Sequence, residues 1–121
     1  MSTEGHHVAR PNGALFGCNV HRLGVTSVIE LRGELDLAAR AMLDDALETA
    51  MHSGVVTVVA DLDAVTSADA STVSWLVHAD AVVRLSGARF VTVVGSGGAG
   101  DVLRLTGVRR RLAVVGGLRA R

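Results

Sequence analysis

The order of apolar and polar positions along the chain predicts strands that alternate with helices. Residues 25–32 and 55–62 are short runs rich in β-branched residues, and the second is so apolar that we expect a strand buried on both faces. Residues 37–52 and 70–85 instead carry apolar residues at helical spacing. Weaker patterns predict strands at 14–23, 90–94 and 112–115 and a short helix at 101–105. Because such alternation implies crossover connections, we predict an α/β fold, with a mixed sheet of about four to five strands packed against three to four helices.

An aspartate stands at the start of each longer helix. Asp36 follows the strand at 25–32 after Gly33 and Glu34, and Asp69 follows a predicted loop at 63–68. Both are natural helix N-caps, whose side chains accept hydrogen bonds from the first free N–H groups. Since each aspartate follows a strand and begins a helix, we expect both to lie on the same edge of the sheet. A helix N-terminus there can also accommodate a phosphate group.

Trp75 is the only tryptophan of the chain and lies on the second helix. The predicted inward positions of this helix are the four apolar residues Val73, Leu76, Val77 and Ala81. Trp75 falls beside that stripe, which suggests an exposed anchor in a protein interface, since aromatic residues dominate binding hot spots. The alternative is a partly buried core residue that fills the volume left by small alanines.

Composition narrows the class of protein. A chain of 121 residues is expected to form one domain, here 14–116, between a flexible N-terminal tail at 1–13 and a C-terminal tail at 117–121. Twelve basic residues balance twelve acidic ones, so no global field attracts nucleic acid. Cys18 is the single cysteine, which fits a reducing compartment. With neither a signal peptide nor an apolar span, we expect a cytoplasmic protein with no membrane partner.

The sequence offers little for catalysis or cofactors. All twelve basic residues are arginine, which excludes a P-loop lysine and a Schiff-base lysine. Ser71 and His78 would lie roughly 10 Å apart on one helix, too far for a hydrogen bond. The five histidines are scattered without the spacing of metal ligands. The glycine-rich segment 95–100 matches no nucleotide-binding spacing, and the arginines at 109–111 lack aromatic neighbours. We therefore predict no enzyme, no catalytic residue, no metal and no cofactor.

Four segments, taken in order, resemble a known family. They are Leu-Arg-Gly-Glu-Leu-Asp at 31–36, Val-Val-Ala-Asp-Leu at 58–62, Val-Thr-Ser-Ala-Asp at 65–69 and Leu-Arg-Leu-Thr-Gly-Val at 103–108. At these spacings the chain resembles the STAS domain, in particular the bacterial anti-sigma-factor antagonists, over residues 25–114.

The resemblance implies a small regulatory protein of the STAS type. It would bind an anti-sigma factor, itself a serine kinase, and so regulate sigma-factor-dependent transcription by partner switching. The partner-binding residues it implies are Glu34, Asp36, Asp69, Ala70, Ser71 and Thr72, to which we add Trp75. The alternative function is that of a STAS subunit that docks on the ATPase of a membrane lipid ABC transporter.

The position of the family's phosphorylated serine holds Ala70, which cannot accept a phosphate. Two interpretations stay open. Ser71 or Thr72 takes the phosphate in a shifted register, or the protein is not switched by phosphorylation here, which we favour. The family also usually closes with another amphipathic helix, whereas only residues 116–121 follow Val115. We expect the apolar surface left without it to favour pairing with a partner or with a second copy as a homodimer.

Overall fold

A single mixed sheet organises the computed structural model, which describes residues 3–9, 15–94 and 113–116. Its six strands lie in sequence order: β1 (Thr3–Ala9), β2 (Leu15–Leu23), β3 (Thr26–Leu35), β4 (Thr57–Ala68), β5 (Arg89–Val94) and β6 (Ala113–Gly116). The pairs β1–β2 and β2–β3 are antiparallel, and the pairs from β3 to β6 are parallel. The predicted α/β fold with a mixed sheet is confirmed.

Two α-helices make the parallel connections among the described residues. The helix α1 (Arg40–Ala50), preceded by the 3-10 turn Leu37–Ala39, joins β3 to β4, and α2 (Ala70–Leu85) joins β4 to β5. Both helices contribute to one core cluster on one face of the sheet, because their apolar sides are buried against the central strands. The predicted helix at 101–105 lies outside the described residues.

The strand β4 is buried on both faces, as its apolar run predicted. Residues 58–62 of β4 are all buried. Alternate side chains, such as Val58 and Ala60, join the core beneath the helices. Val59 points the other way and forms a second cluster with Val28 and Val93. Period-2 alternation explains the division, since neighbouring residues of a strand face opposite sides of the sheet.

Three boundaries differ from the sequence prediction. The segment predicted to be a flexible tail contains β1, which pairs with β2 from Thr3 opposite His21 to Ala9 opposite Leu15. This edge strand raises the number of strands to six. In addition, β3 continues through Leu35, and β4 continues through the predicted loop at 63–68. The polar residues of 63–68 do not show a strand pattern in the sequence. In the structure, backbone pairing with β3 continues β4 through this segment, with register shifts at two places. The domain limits 14–116 stay a prediction.

Candidate partner-binding site

The ends of β3 and β4 bring the two predicted acidic corners together. Leu35 is paired with Ala68 in the parallel ladder, and Asp36 and Asp69 are the next residues of their chains. A hydrogen bond adds a direct link, since the hydroxyl of Thr72 donates to the carbonyl oxygen of Leu35 over 3.3 Å. The prediction that the two helix starts lie on the same edge of the sheet is therefore confirmed. We call residues 34–36 and 69–71 the acidic corner.

Asp69 caps α2 as predicted. Its backbone is extended, with φ −110° and ψ −175°, and its Oδ1 accepts hydrogen bonds from the N–H groups of Ser71 (3.0 Å) and Thr72 (3.3 Å). The hydroxyl of Ser71 donates to the same oxygen. These donors satisfy free N–H groups of the first helical turn and fix the orientation of the carboxylate at the start of the helix.

Asp36 has a related but different role from the one predicted. Its Oδ1 accepts a hydrogen bond from the N–H of Ala38 (2.9 Å), and its carbonyl oxygen accepts one from the N–H of Ala39 (2.9 Å). The helix α1 begins only at Arg40, and its N-cap residue Ala39 has no side-chain cap. Asp36 thus caps the 3-10 turn that precedes the helix. Glu34, exposed near the end of β3, lies opposite Ser67.

The residues after Asp69 differ in exposure. Ala70 is exposed and Ser71 is partly exposed, but Thr72 is only 2% exposed. A kinase or a docking protein cannot reach the Thr72 hydroxyl, which is already bonded to Leu35. The structure therefore contradicts Thr72 as a phosphorylation or contact residue. Within this stretch, Ser71 is the hydroxyl that is accessible from solvent.

Trp75 belongs to the core, so the preferred interpretation of it as an interface anchor is wrong. Its side chain is fully buried, and its indole Nε1 donates a hydrogen bond to Oδ1 of Asp44 on α1 (3.0 Å). The buried residues of α2 are Thr72, Val73, Trp75, Leu76, Ala79 and Val83. This face is rotated from the predicted one, which included the partly buried Val77 and the exposed Ala81. The spacing of residues 72, 75, 76, 79 and 83 fits a helical stripe once Thr72 is counted as buried.

A groove between the two helices has a cavity volume of about 340 Å³. Its lining residues are Asp44, Leu47, Glu48, Met51, His78, Val82 and Ser86. None of the residues of the acidic corner belongs to this lining. The corner is instead a surface of loop and helix ends, which suits contact with another protein.

Other kinds of site find no support in the described part of the chain. Among its residues no group of three His, Cys, Asp or Glu side chains could hold a metal ion. Likewise, none of the described helices is both long and apolar enough to cross a membrane.

The fold and the corner define a small α/β domain with a polar edge suited to protein contact. The chain belongs to the STAS-domain family, since a family model described as "Mlab, STAS domain" matches residues 18–116. An anti-sigma factor antagonist from Mycobacterium paratuberculosis has a similar structure, with a TM-score of 0.74 and 18% identity over 92% of each chain. The anti-sigma factor antagonist SpoIIAA in its unphosphorylated form has a TM-score of 0.65 and 20% identity, over 84% of this chain and 89% of its own. No curated protein matches the sequence significantly.

Proposed function

We propose that this protein is an anti-sigma-factor antagonist that binds an anti-sigma factor through the acidic corner. The observation that carries the proposal is the placement of Asp36 and Asp69 side by side, with the exposed Ala70 next to them. Membership of the STAS family and the two antagonists of similar fold support it. In this role the protein regulates sigma-factor-dependent transcription in the cytoplasm by binding and catalyses no reaction.

The partner we propose is an anti-sigma factor with serine kinase activity. Two neighbouring carboxylates attract a basic surface on such a partner. A phosphate at position 70 would add nearly two negative charges beside them and would disfavour a partner that has to dock closely. Ala70 has no hydroxyl, so the corner keeps its unphosphorylated charge. We therefore propose that binding is not switched at this position.

Ser71 suits the cap better than it suits a switch. Its hydroxyl donates to the carboxylate of Asp69, and its N–H donates to the same oxygen. Phosphorylation would remove the hydroxyl donor and place a dianion against Asp69, which would destabilise the start of α2. A shifted switch at Ser71 is the alternative, and mass measurement distinguishes it.

Titration of the purified protein with a purified anti-sigma factor of the serine-kinase class from the same cells tests the proposal. Ala70→Glu places a carboxylate between the partners and should weaken binding at least about tenfold, as expected for like charges at an interface. The matched control is Ala81→Glu, which adds the same charge at an exposed position further along α2 and should leave affinity unchanged. Incubation with ATP should leave both the mass and the affinity of the wild type unchanged.

Two results would contradict the proposal. Ala70→Glu could bind as tightly as the wild type, which would move the docking surface away from the corner. Alternatively, ATP could abolish binding by the wild type but not by Ser71→Ala, which would establish a shifted phosphorylation switch.

A second candidate function is that of a STAS subunit docking on the ATPase of a membrane lipid ABC transporter. The matching family model is described as "Mlab", a name that neither of the two antagonists carries. This difference is the reason to keep the second candidate. Purification of the complex from the source cells separates the two functions, because the bound ATP-binding protein is a serine kinase in one case and an ABC ATPase in the other.

A further inference from the structure

The end of the sheet opposite the acidic corner collects the exposed apolar side chains. The large hydrophobic residues that are exposed in the described part of the chain are Leu23, Val25, Val56 and Leu85. Three of them are 55% exposed, and Leu85 is 89% exposed. Single exposed apolar residues are ordinary on a protein surface, but several at one end of the sheet indicate an interaction site.

The strand register brings these residues to the same end. Leu23 pairs with Thr26, Thr26 with Thr57, and Thr57 with Arg89, so one row crosses four strands. Just beyond this row, the N–H of Val56 donates to the carbonyl oxygen of Val25 over 2.7 Å, and the N–H of Arg89 donates to that of Val56 over 2.9 Å. The connections that precede β3 and β4 therefore contact each other through their backbones, and the connection before β4 also contacts the start of β5.

A hairpin turn and a helix end carry three of the four exposed apolar residues. Leu23 and Val25 flank Gly24, whose φ of +65° allows the tight turn between β2 and β3. Leu85 is the last residue of α2, which ends in the connection to β5. Leu23, Val25 and Leu85 thus lie exposed where the chain turns or a helix ends.

The same end carries three exposed arginines, together with two acidic helix residues, Asp80 and the exposed Glu48 near the end of α1. Arg22, Arg84 and Arg89 are exposed there, and Arg84 contacts Asp80 through a distance of 3.1 Å from Nε to Oδ1. The three connections at 22–26, 51–56 and 86–88 contain no aspartate or glutamate. We call these connections, together with Arg84, Leu85 and Arg89, the arginine end. The acidic corner lies at the opposite end of the parallel strands.

We propose that the arginine end binds the surface of an anionic membrane. Arginine guanidinium groups match lipid phosphates in shape and charge, and each basic residue near an anionic bilayer strengthens binding. Exposed apolar side chains can enter the boundary between headgroups and acyl chains, as the apolar faces of peripheral proteins do. A fluid bilayer can adapt to the exposed apolar residues of the arginine end. An acidic protein partner would instead need a surface that is complementary to them.

A peripheral contact at the arginine end would differ from the sequence prediction of no membrane partner. The expectation of no membrane partner rested on the lack of a spanning segment, but surface binding requires none. In this orientation the acidic corner faces away from the lipid and stays available to a protein partner. Membrane binding at the arginine end does not depend on the identity of that partner.

Co-sedimentation of the full chain with vesicles tests the inference. Vesicles of equal parts phosphatidylglycerol and phosphatidylcholine should bind the protein, whereas vesicles of phosphatidylcholine alone should bind it much less. Arg22→Ser with Arg89→Ser should weaken binding roughly 25-fold, about fivefold for each arginine. Leu23→Ser with Val25→Ser keeps the charge but removes the apolar tip, and should weaken binding about tenfold.

A variant with the same change in net charge provides the matched control. Thr66→Glu with Ser67→Glu also lowers the charge by two, but at exposed positions near the acidic corner, and should bind vesicles nearly as the wild type does. Far-ultraviolet circular dichroism verifies that each variant is folded. Failure of the wild type to bind anionic vesicles would overturn the proposal. Equal loss in the control variant would do the same, because binding would then follow net charge and not the arginine end.

Discussion

The indole Nε1 of Trp75 lies 3.0 Å from Oδ1 of Asp44 and donates a hydrogen bond that joins α2 to α1. The tryptophan ring is fully buried, whereas the Asp44 side chain is half exposed and also lies 3.5 Å from Nε of Arg40. The single polar group of a large buried ring is thereby satisfied at the edge of the core. This bond makes Trp75 a packing residue of the helix pair.

Replacement of Trp75 should therefore lower stability and leave partner affinity unchanged. Trp75→Phe removes ring volume and the N–H donor, and should lower the free energy of unfolding by about 2–3 kcal/mol. Urea denaturation followed by circular dichroism measures this change. Asp44→Asn keeps an acceptor oxygen in place and should cost less than about 1 kcal/mol. A stable Trp75→Phe protein that no longer binds its partner would return Trp75 to the interface.

The buried face of α2 was predicted incorrectly, and the reason lies in the hydrophobic pattern of this helix. Apolar residues surround this helix, including the exposed Ala81 and Leu85, so hydrophobic spacing alone does not select the buried side. Thr72 was the informative residue, but a threonine is buried only when its hydroxyl finds an acceptor. That acceptor is the carbonyl oxygen of Leu35, on another element, and local sequence cannot reveal it.

At the two helix starts the sequence pattern predicted the capping aspartates but not the 3-10 turn before α1. Asp69 caps α2 through groups of Ser71 and Thr72, two and three residues further along the chain, so a local rule was sufficient to predict it. The neighbouring position of Asp36 followed from the rule that parallel strands end at the same edge of the sheet. The 3-10 turn between Asp36 and α1 was missed, since Leu-Ala-Ala at 37–39 suits an α-helix equally well. Likewise, β4 extends past Leu62 because it pairs with β3, a contact that no local pattern records.

Removal of the Thr72 hydroxyl tests the link between the two helix starts. Thr72→Val keeps the shape but deprives the Leu35 carbonyl of this donor, so the free energy of unfolding should fall by about 1 kcal/mol. Thr66→Val, at an exposed position of β4, should change stability by less than about 0.5 kcal/mol. Thermal or urea unfolding measures both variants. Equal stability of Thr72→Val and the wild type would show that the bond contributes nothing.

Cys18 should make stability depend on pH in an alkaline window. Burial raises the pKa of its thiol from 9.0 to about 11, and nearby Arg32 lowers the value less than burial raises it. The unfolded chain therefore loses this proton at lower pH than the folded chain. Stability from the buried neutral thiol is complete below pH 9.0 and is lost as the pH rises to about 11.

The composition makes this pH dependence easy to isolate. The sequence contains no lysine and no tyrosine, and it contains one cysteine. The thiol of Cys18 is therefore the side-chain group expected to titrate between pH 9 and 11. Cys18→Ala should remove most of the loss of stability between pH 9 and 11, measured by urea unfolding at several pH values. At pH 8 the native thiol should react with a disulfide reagent far more slowly than the unfolded thiol. Rapid labelling of the native protein would contradict the buried, protonated state.

Restoration of a hydroxyl at position 70 should create the switch that Ala70 lacks. Ala70 is exposed at the first residue of α2, next to the capping Asp69, so a serine there keeps the local geometry and presents its hydroxyl to solvent. With the serine-kinase partner and ATP, Ala70→Ser should gain one phosphate by mass spectrometry and then lose affinity, because the dianion adjoins Asp36 and Asp69. The wild type should gain none, and Ala81→Ser, also exposed on α2, provides the matched control. If the wild type were phosphorylated to the same extent and Ser71→Ala were not, Ser71 would be the acceptor and the corner would already contain a switch.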